Sequence, residues 1–137
     1  MRIGFIHGVM NTDNMSISGE TIDYGPCAFM NAYNAQTVFS SIDKNGRYAF
    51  GNQAVIAKWN LTRFAETLLI LIHPESEKAV EMVQEVLQTY APKFEAQWLR
   101  MMRNKLGLIT DEENDEKLID TLLLWMKNHN ADYTNTF

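Results

Sequence analysis

From Asn52 to His129 apolar residues recur at helical spacing, and only Pro74, Pro92 and Gly107 interrupt the run. That pattern commits the stretch to amphipathic helices, because a half-buried strand needs period two and each proline removes a backbone donor. Val55, Ile56, Trp59, Phe64, Leu68 and Leu71 predict a helix over 53–72 that Pro74 stops. Ala79, Val80, Val83, Val86, Leu87 and Tyr90 predict a second over 76–90, with Ser76 as its N-cap. Pro92, read at a first helical position, opens a third over 92–106 that carries Phe94, Trp98, Met101 and Met102. Gly107 is placed for a left-handed C-cap. Thr110 and Glu113 fit a capping box ahead of a last helix over 115–129, whose stripe is Leu118, Ile119, Leu122, Leu123 and Met126. Asp132 reads as the N-cap of a helix that is cut short.

The first fifty residues are different. They are rich in Gly, Asn, Ser and Asp, with turn signals at Asp13-Asn14, Ser18-Gly19, Gly25-Pro26 and Asn45-Gly46. Met15-Ser16-Ile17-Ser18 alternates apolar and polar, Gly19-Glu20 suits a turn, and Thr21-Ile22-Asp23-Tyr24 is β-branched and aromatic, so 15–24 is expected to form a tight hairpin. The expected fold is mainly α: a helical bundle with one short β-hairpin. Residues 1–50 supply loops and the hairpin, and 51–137 the bundle, within a single partial domain.

Composition narrows the function. A chain of 137 residues with 46% apolar residues builds one core. Lys and Arg number 12 against 17 Asp and Glu, and a net charge of -5 argues against non-specific nucleic-acid binding. Cys27 is the single cysteine, so neither an internal disulfide nor a multi-Cys zinc site is expected. No apolar run reaches the roughly 18–20 residues of a membrane span, and the opening MRIGFIHG lacks the pattern of a secretion signal. The expectation is a reduced, cytoplasmic protein without a membrane partner.

Chemistry concentrates between His7 and Tyr24. Asp13-Asn14 on a loop, followed nine residues later by Asp23 beside Tyr24-Gly25, suits a hard cation that takes carboxylate and amide oxygens, completed by phosphate and water. The same residues also suit plain turn and hairpin positions, and spacing alone leaves both readings standing. The order further invites comparison with the kinase pattern His-Arg-Asp-x-x-x-x-Asn and the later Asp-Phe-Gly. His7 stands seven before Asn14, as that pattern requires, and Asp23-Tyr24-Gly25 stands in for Asp-Phe-Gly. Gly8 and Val9 replace Arg and Asp, so the usual base is missing.

His7-Gly8-Val9-Met10-Asn11-Thr12-Asp13-Asn14-Met15, Asp23-Tyr24-Gly25-Pro26, Gly46-Arg47-Tyr48, Gly51-Asn52-Gln53, Trp59-Asn60-Leu61 and Asp132-Tyr133-Thr134 closely resemble the selenoprotein O family, in order along the whole chain. The resemblance implies a protein-kinase-like C-lobe from a pseudokinase that binds ATP in an inverted pose and moves AMP onto Ser, Thr or Tyr hydroxyls of protein substrates. It implies Asp13 as proton acceptor, Asn14 as metal ligand, and Asp23 as a metal ligand that also meets the nucleotide phosphates, with Mg²⁺ or Mn²⁺ and ATP as cofactors. Members are several times longer, with an N-terminal lobe that grips phosphates and a C-terminal Cys or selenocysteine region, so this chain is expected to be a middle piece. Alone it should be inactive, and apolar surface left bare by missing flanks should favour self-association. Cys27 stands where an aromatic residue is more usual, and reads as a small buried apolar residue.

The remaining polar residues read as structural. His7 suits a hydrogen bond in the loop, and His73 and His129 suit solvent. Asp111 to Glu116 lacks the Gly and Glu of a calcium loop, and Asp43-Lys44-Asn45-Gly46 is a plain turn. Trp59, Trp98 and Trp125 read as helix anchors, and Met101-Met102 as core filler. Two rival functions stay open: a non-catalytic helical interaction module, and a kinase-like phosphotransferase.

Overall fold

The computed structural model describes residues 1–137. Four helices make the body: α1 (Gln53–Ile72), α2 (Ser76–Gln88), α3 (Tyr90–Leu106) and α4 (Asp115–His129). They pack in sequence order, α1 on α2, α2 on α3, α3 on α4. No helix is long and apolar enough to cross a membrane.

The helix ends follow local chemistry, with shifts where tertiary partners intervene. His73 turns extended (φ -153°, ψ 143°) as the residue before Pro74 must. α2 begins at Ser76 itself, with Glu75 in the cap position and no side-chain cap, so the expected Ser76 cap is displaced by one residue. α3 opens at Tyr90, which puts Pro92 third; the first four helical N–H groups have no partner in the helix, so the missing donor costs nothing there. Gly107 ends α3 at φ 69°, the left-handed conformation that favours glycine. The Thr110–Glu113 box does not form. A reciprocal pair two residues later replaces it: the Glu112 N–H donates to Asp115 Oδ2 at 2.9 Å and the Asp115 N–H to the Glu112 carbonyl at 3.2 Å. Asp115 wins because Arg103 Nε, reaching over from α3, donates to the same oxygen at 2.6 Å.

The two-stranded sheet exists but lies elsewhere than 15–24. β1 (Phe5–Ile6) pairs antiparallel with β2 (Ala28–Phe29), in the register Phe5 opposite Phe29 and Ile6 opposite Ala28. The chain turns two residues before the expected Gly19-Glu20, with the Gly19 N–H donating to the Ser16 carbonyl at 3.1 Å, and the flanks do not pair. Ile17 and Ile22 stay 81% and 88% exposed, so nothing rewards strand pairing there. Ile6, by contrast, is fully buried with Met30, Phe50, Met126 and Tyr133, and that cluster seals the front of the chain onto α4. The tail closes the same seam: the Tyr33 N–H donates to the Ala131 carbonyl at 2.9 Å and the Tyr133 N–H to the Asn31 carbonyl at 2.6 Å. Asp132 Oδ1 caps the final turn by accepting from the Thr134 and Asn135 N–H groups. Cys27, expected to be buried, is half-buried and free, because it enters β2 at the edge of this small sheet.

The apolar stripes of α1 and α2 are only partly covered. Leu61, Phe64, Leu68, Met82, Val86 and Phe94 line an open apolar groove of about 860 Å³ among α1, α2 and α3.

Candidate active site

Asp13 and Asn14 lie on a single 3-10 turn, Thr12–Asn14, that rests against α1. Nearly every group around that turn is fastened. Gln53, buried at the start of α1, uses its amide as a strand would use its backbone: Oε1 accepts from the His7 N–H at 3.0 Å and Nε2 donates to the Phe5 carbonyl at 3.0 Å. His7 Nδ1 accepts from the Val9 N–H at 3.3 Å, the loop bond expected of it. Gly8 sits at φ 81°, and a Cβ there would lie 2.6 Å from the Phe39 ring, so only glycine fits.

Further along, Asn60 Nδ2 donates to the Met10 carbonyl at 2.9 Å. The Tyr48 hydroxyl donates to Asn11 Oδ1. Tyr48 is itself set by Asp43, whose carboxylate accepts from the Arg47 and Tyr48 N–H groups at 2.8 Å each, which makes 43–46 the turn the sequence suggests. Asn60 Oδ1 is buried with no partner in the chain.

Against this fixed surround, Asp13 is exposed and its carboxylate joins none of the chain's four ion pairs. Asn14 Nδ2 donates to the Val9 carbonyl at 3.0 Å, which leaves Oδ1 as the amide's open acceptor. Asp23 is exposed on the irregular stretch beyond the turn at Ser16–Gly19, and its Oδ1 accepts from the Tyr24 N–H at 2.7 Å. The Tyr24 ring meets Phe5 of β1 edge-on, 6.0 Å between centroids. Asp13 and Asn14 are therefore brought together, while Asp23 stands on a separate segment with no hydrogen bond to either. An amide oxygen and a carboxylate are the donors a hard divalent cation prefers, and Mg²⁺ commonly takes one or two protein oxygens plus phosphate and water. No group of three or more His, Cys, Asp or Glu side chains converges in the chain, so a closed all-protein cage is not built here.

Tyr48, Gln53 and Asn60 position the turn, and helix periodicity alone does not single them out. The signal that finds them is a polar residue on the buried face of an apolar helix: Gln53, Ile56 and Asn60 share one side of α1 at spacings of three and four. Buried amides require partners, and here the partners are the backbone of the loop.

The profile of a family described as Protein adenylyltransferase SelO matches residues 1–137. Among curated proteins, the Protein nucleotidyltransferase YdiU of Anoxybacillus flavithermus is 63% identical over 135 residues, 98% of this chain and 28% of that protein. Its namesake in Pelagibacter ubique is 61% identical over 137 residues, 100% of this chain and 28% of that protein. The one from Brevibacillus brevis is 62% identical over 135 residues, again 98% and 28%. The chain thus spans about 28% of the length of these relatives. With the motifs in order and the match running from end to end, the chain belongs to the protein adenylyltransferase SelO family.

Proposed function

We propose that residues 1–137 are the catalytic turn and its scaffold in a protein adenylyltransferase that moves AMP from ATP onto Ser, Thr or Tyr hydroxyls of proteins. The observation that carries this reading is the presentation of the exposed Asp13 carboxylate on a turn whose neighbours are tied down by Tyr48, Gln53 and Asn60. Pre-organised geometry of that kind is what proton transfer at a reacting hydroxyl demands. Family membership and the relatives' names support the reaction class.

Asp13 acts as general base. It accepts the proton of the attacking hydroxyl as the new O–P bond forms at the α-phosphorus and pyrophosphate leaves. Val9, at the place of the kinase base, has no proton acceptor. Asn14 and Asp23 would hold Mg²⁺ or Mn²⁺ through oxygens suited to it; when bound, such an ion neutralises charge on the nucleotide phosphates. Asp23 also faces the nucleotide in this scheme. A cytoplasmic setting, in which ATP is plentiful, goes with this reading.

Residues 1–137 alone should turn over little, since Arg2, Lys44 and Arg47 are the only cations among the first fifty residues and phosphoryl chemistry needs positive charge from several sides. The open apolar groove makes self-association of the isolated chain the expected behaviour. Incubating the full-length protein with a protein acceptor and α-labelled or γ-labelled ATP tests the reaction. Label retained on protein from the α position only, with pyrophosphate released, is expected. Label retained only from the γ position would make it a kinase.

A further inference from the structure

Arg47 and Arg63 converge on one indole beside the catalytic turn. The Arg47 guanidinium carbon lies 4.8 Å from the Trp59 ring centroid and 5.7 Å from that of Tyr48. The Arg63 carbon lies 5.5 Å from the Trp59 centroid. Two like charges held against one ring repel each other, and the face of the indole offsets part of that repulsion. In a chain of net charge -5 this is a local concentration of the minority sign.

Within residues 1–137 the charges are available. Arg47 is exposed and joins none of the chain's ion pairs. Arg63 pairs only with Glu66, one turn along the same helix, with both side chains over 40% exposed at 43% and 48%. An exposed pair of that kind is worth little and exchanges readily for another carboxylate. Trp59 itself is 41% exposed.

The cluster is also tied to the site. Tyr48, next to Arg47, holds Asn11; Asn60, next to Trp59, holds the Met10 carbonyl. Arg63 lines, with Thr12, Met15, Ser16 and Asn60, a cavity of about 520 Å³ against the turn that carries Asp13. A group bound there by Arg63 lies against Thr12, the residue before Asp13.

We infer that Arg47 and Arg63, gathered on Trp59, recognise an acidic side chain of the protein substrate close to its acceptor hydroxyl. The inference rests on the proposed function and names a preference within it. The guanidinium fork matches a carboxylate through two parallel N–H···O bonds, which gives direction as well as charge. The phosphates of ATP offer the same chemistry, and the experiment separates the two sources.

The test uses the full-length protein, α-labelled ATP, and short peptides bearing one Ser flanked by Glu, Gln or Lys. Wild-type protein should modify the Glu peptide with a KM about tenfold below that of the Gln peptide, the scale of a charge-assisted hydrogen bond, and the Lys peptide least well. In the Arg47→Gln/Arg63→Gln variant the advantage of the Glu peptide should vanish through KM for peptide, with KM for ATP held. Arg63→Glu should turn the preference toward the Lys peptide. Equal use of the three peptides by wild-type protein overturns the inference while leaving AMP transfer intact. A rise in KM for ATP in the double variant also overturns it, by assigning the pair to phosphate. No transfer of α-label to any acceptor would overturn both this inference and the function beneath it.

Discussion

Residues 1–52 and residues 53–129 differ in what fixes their backbone. In the helices, the chain's own N–H and C=O groups pair with one another, and side chains are left free to pack or to meet solvent. In the front segment regular pairing is limited to two residues on each of two strands, and much of the rest of the backbone is held by side chains: Gln53 on Phe5 and His7, Asn60 on Met10, Asp43 on Arg47 and Tyr48. The division teaches where each kind of order is useful. Adjacent side chains on a helix do not face each other, whereas those on a turn can, provided something else keeps the turn rigid. Here α1 is the something else. It is both a packing element and the source of the amides that hold the turn.

The two regions meet in a shared core. Met126 lies fully buried on α4 against Ile6, Met30, Phe50 and Tyr133, so it joins the two regions. Met126→Ala should cost about 2–5 kcal/mol, the usual range for a large apolar truncation in a core. Chemical denaturation of the intact protein measures it, and a loss below about 1 kcal/mol would mean that the regions are not joined there.

A smaller and more local effect is expected at Asn60. Asn60→Ala leaves the half-buried Met10 carbonyl without its donor, a cost of about 1 kcal/mol. Hydrogen exchange should rise in residues 9–15 while α2 to α4 stay protected, and the catalytic rate should fall further than the stability loss explains. Uniform loosening of the helices would break the distinction between pinned loop and self-sufficient body.

The last of these concerns the body alone. The Glu112 N–H, and then the Arg103 guanidinium, hold the Asp115 carboxyl below its ordinary value of 3.8. A depressed folded-state pKa contributes stability that is present above that value and lost as pH falls through the lower one. Asp115→Asn should therefore flatten the decline of thermal stability below pH 3.8. An unchanged acid limb in melts of the variant would dissociate Asp115 from the helix start.

Much of the body was legible from sequence because its rules are local. Pro74 stopped α1, Gly107 closed α3, and the apolar stripes found all four helices. The start of α4 was misread where Arg103, a partner from another helix, moved the reciprocal pair to Glu112 and Asp115. The sheet was misplaced for a related reason. Residues 15–24 have the alternation of a hairpin but no buried slot for Ile17 or Ile22, whereas Phe5–Ile6 is too short to show any period and forms because Ile6 has such a slot. At the site, Asp13-Asn14 was legible as a turn signal, and both residues lie on a 3-10 turn. Their support was legible only in part: helical spacing puts Gln53 and Asn60 on one face with Ile56, but it does not name their partners 46 and 50 residues away.

In this scheme the turn held by α1 does the chemistry and the helices serve it. It is tested most directly by Asp13→Ala in the full-length protein. Because Asp13 is exposed and holds nothing in place, the variant should fold with an unchanged melting temperature and bind ATP with metal as before. Its rate of AMP transfer should fall about 10²–10⁴-fold, the share of a general base. A normal rate in a folded variant would contradict the account.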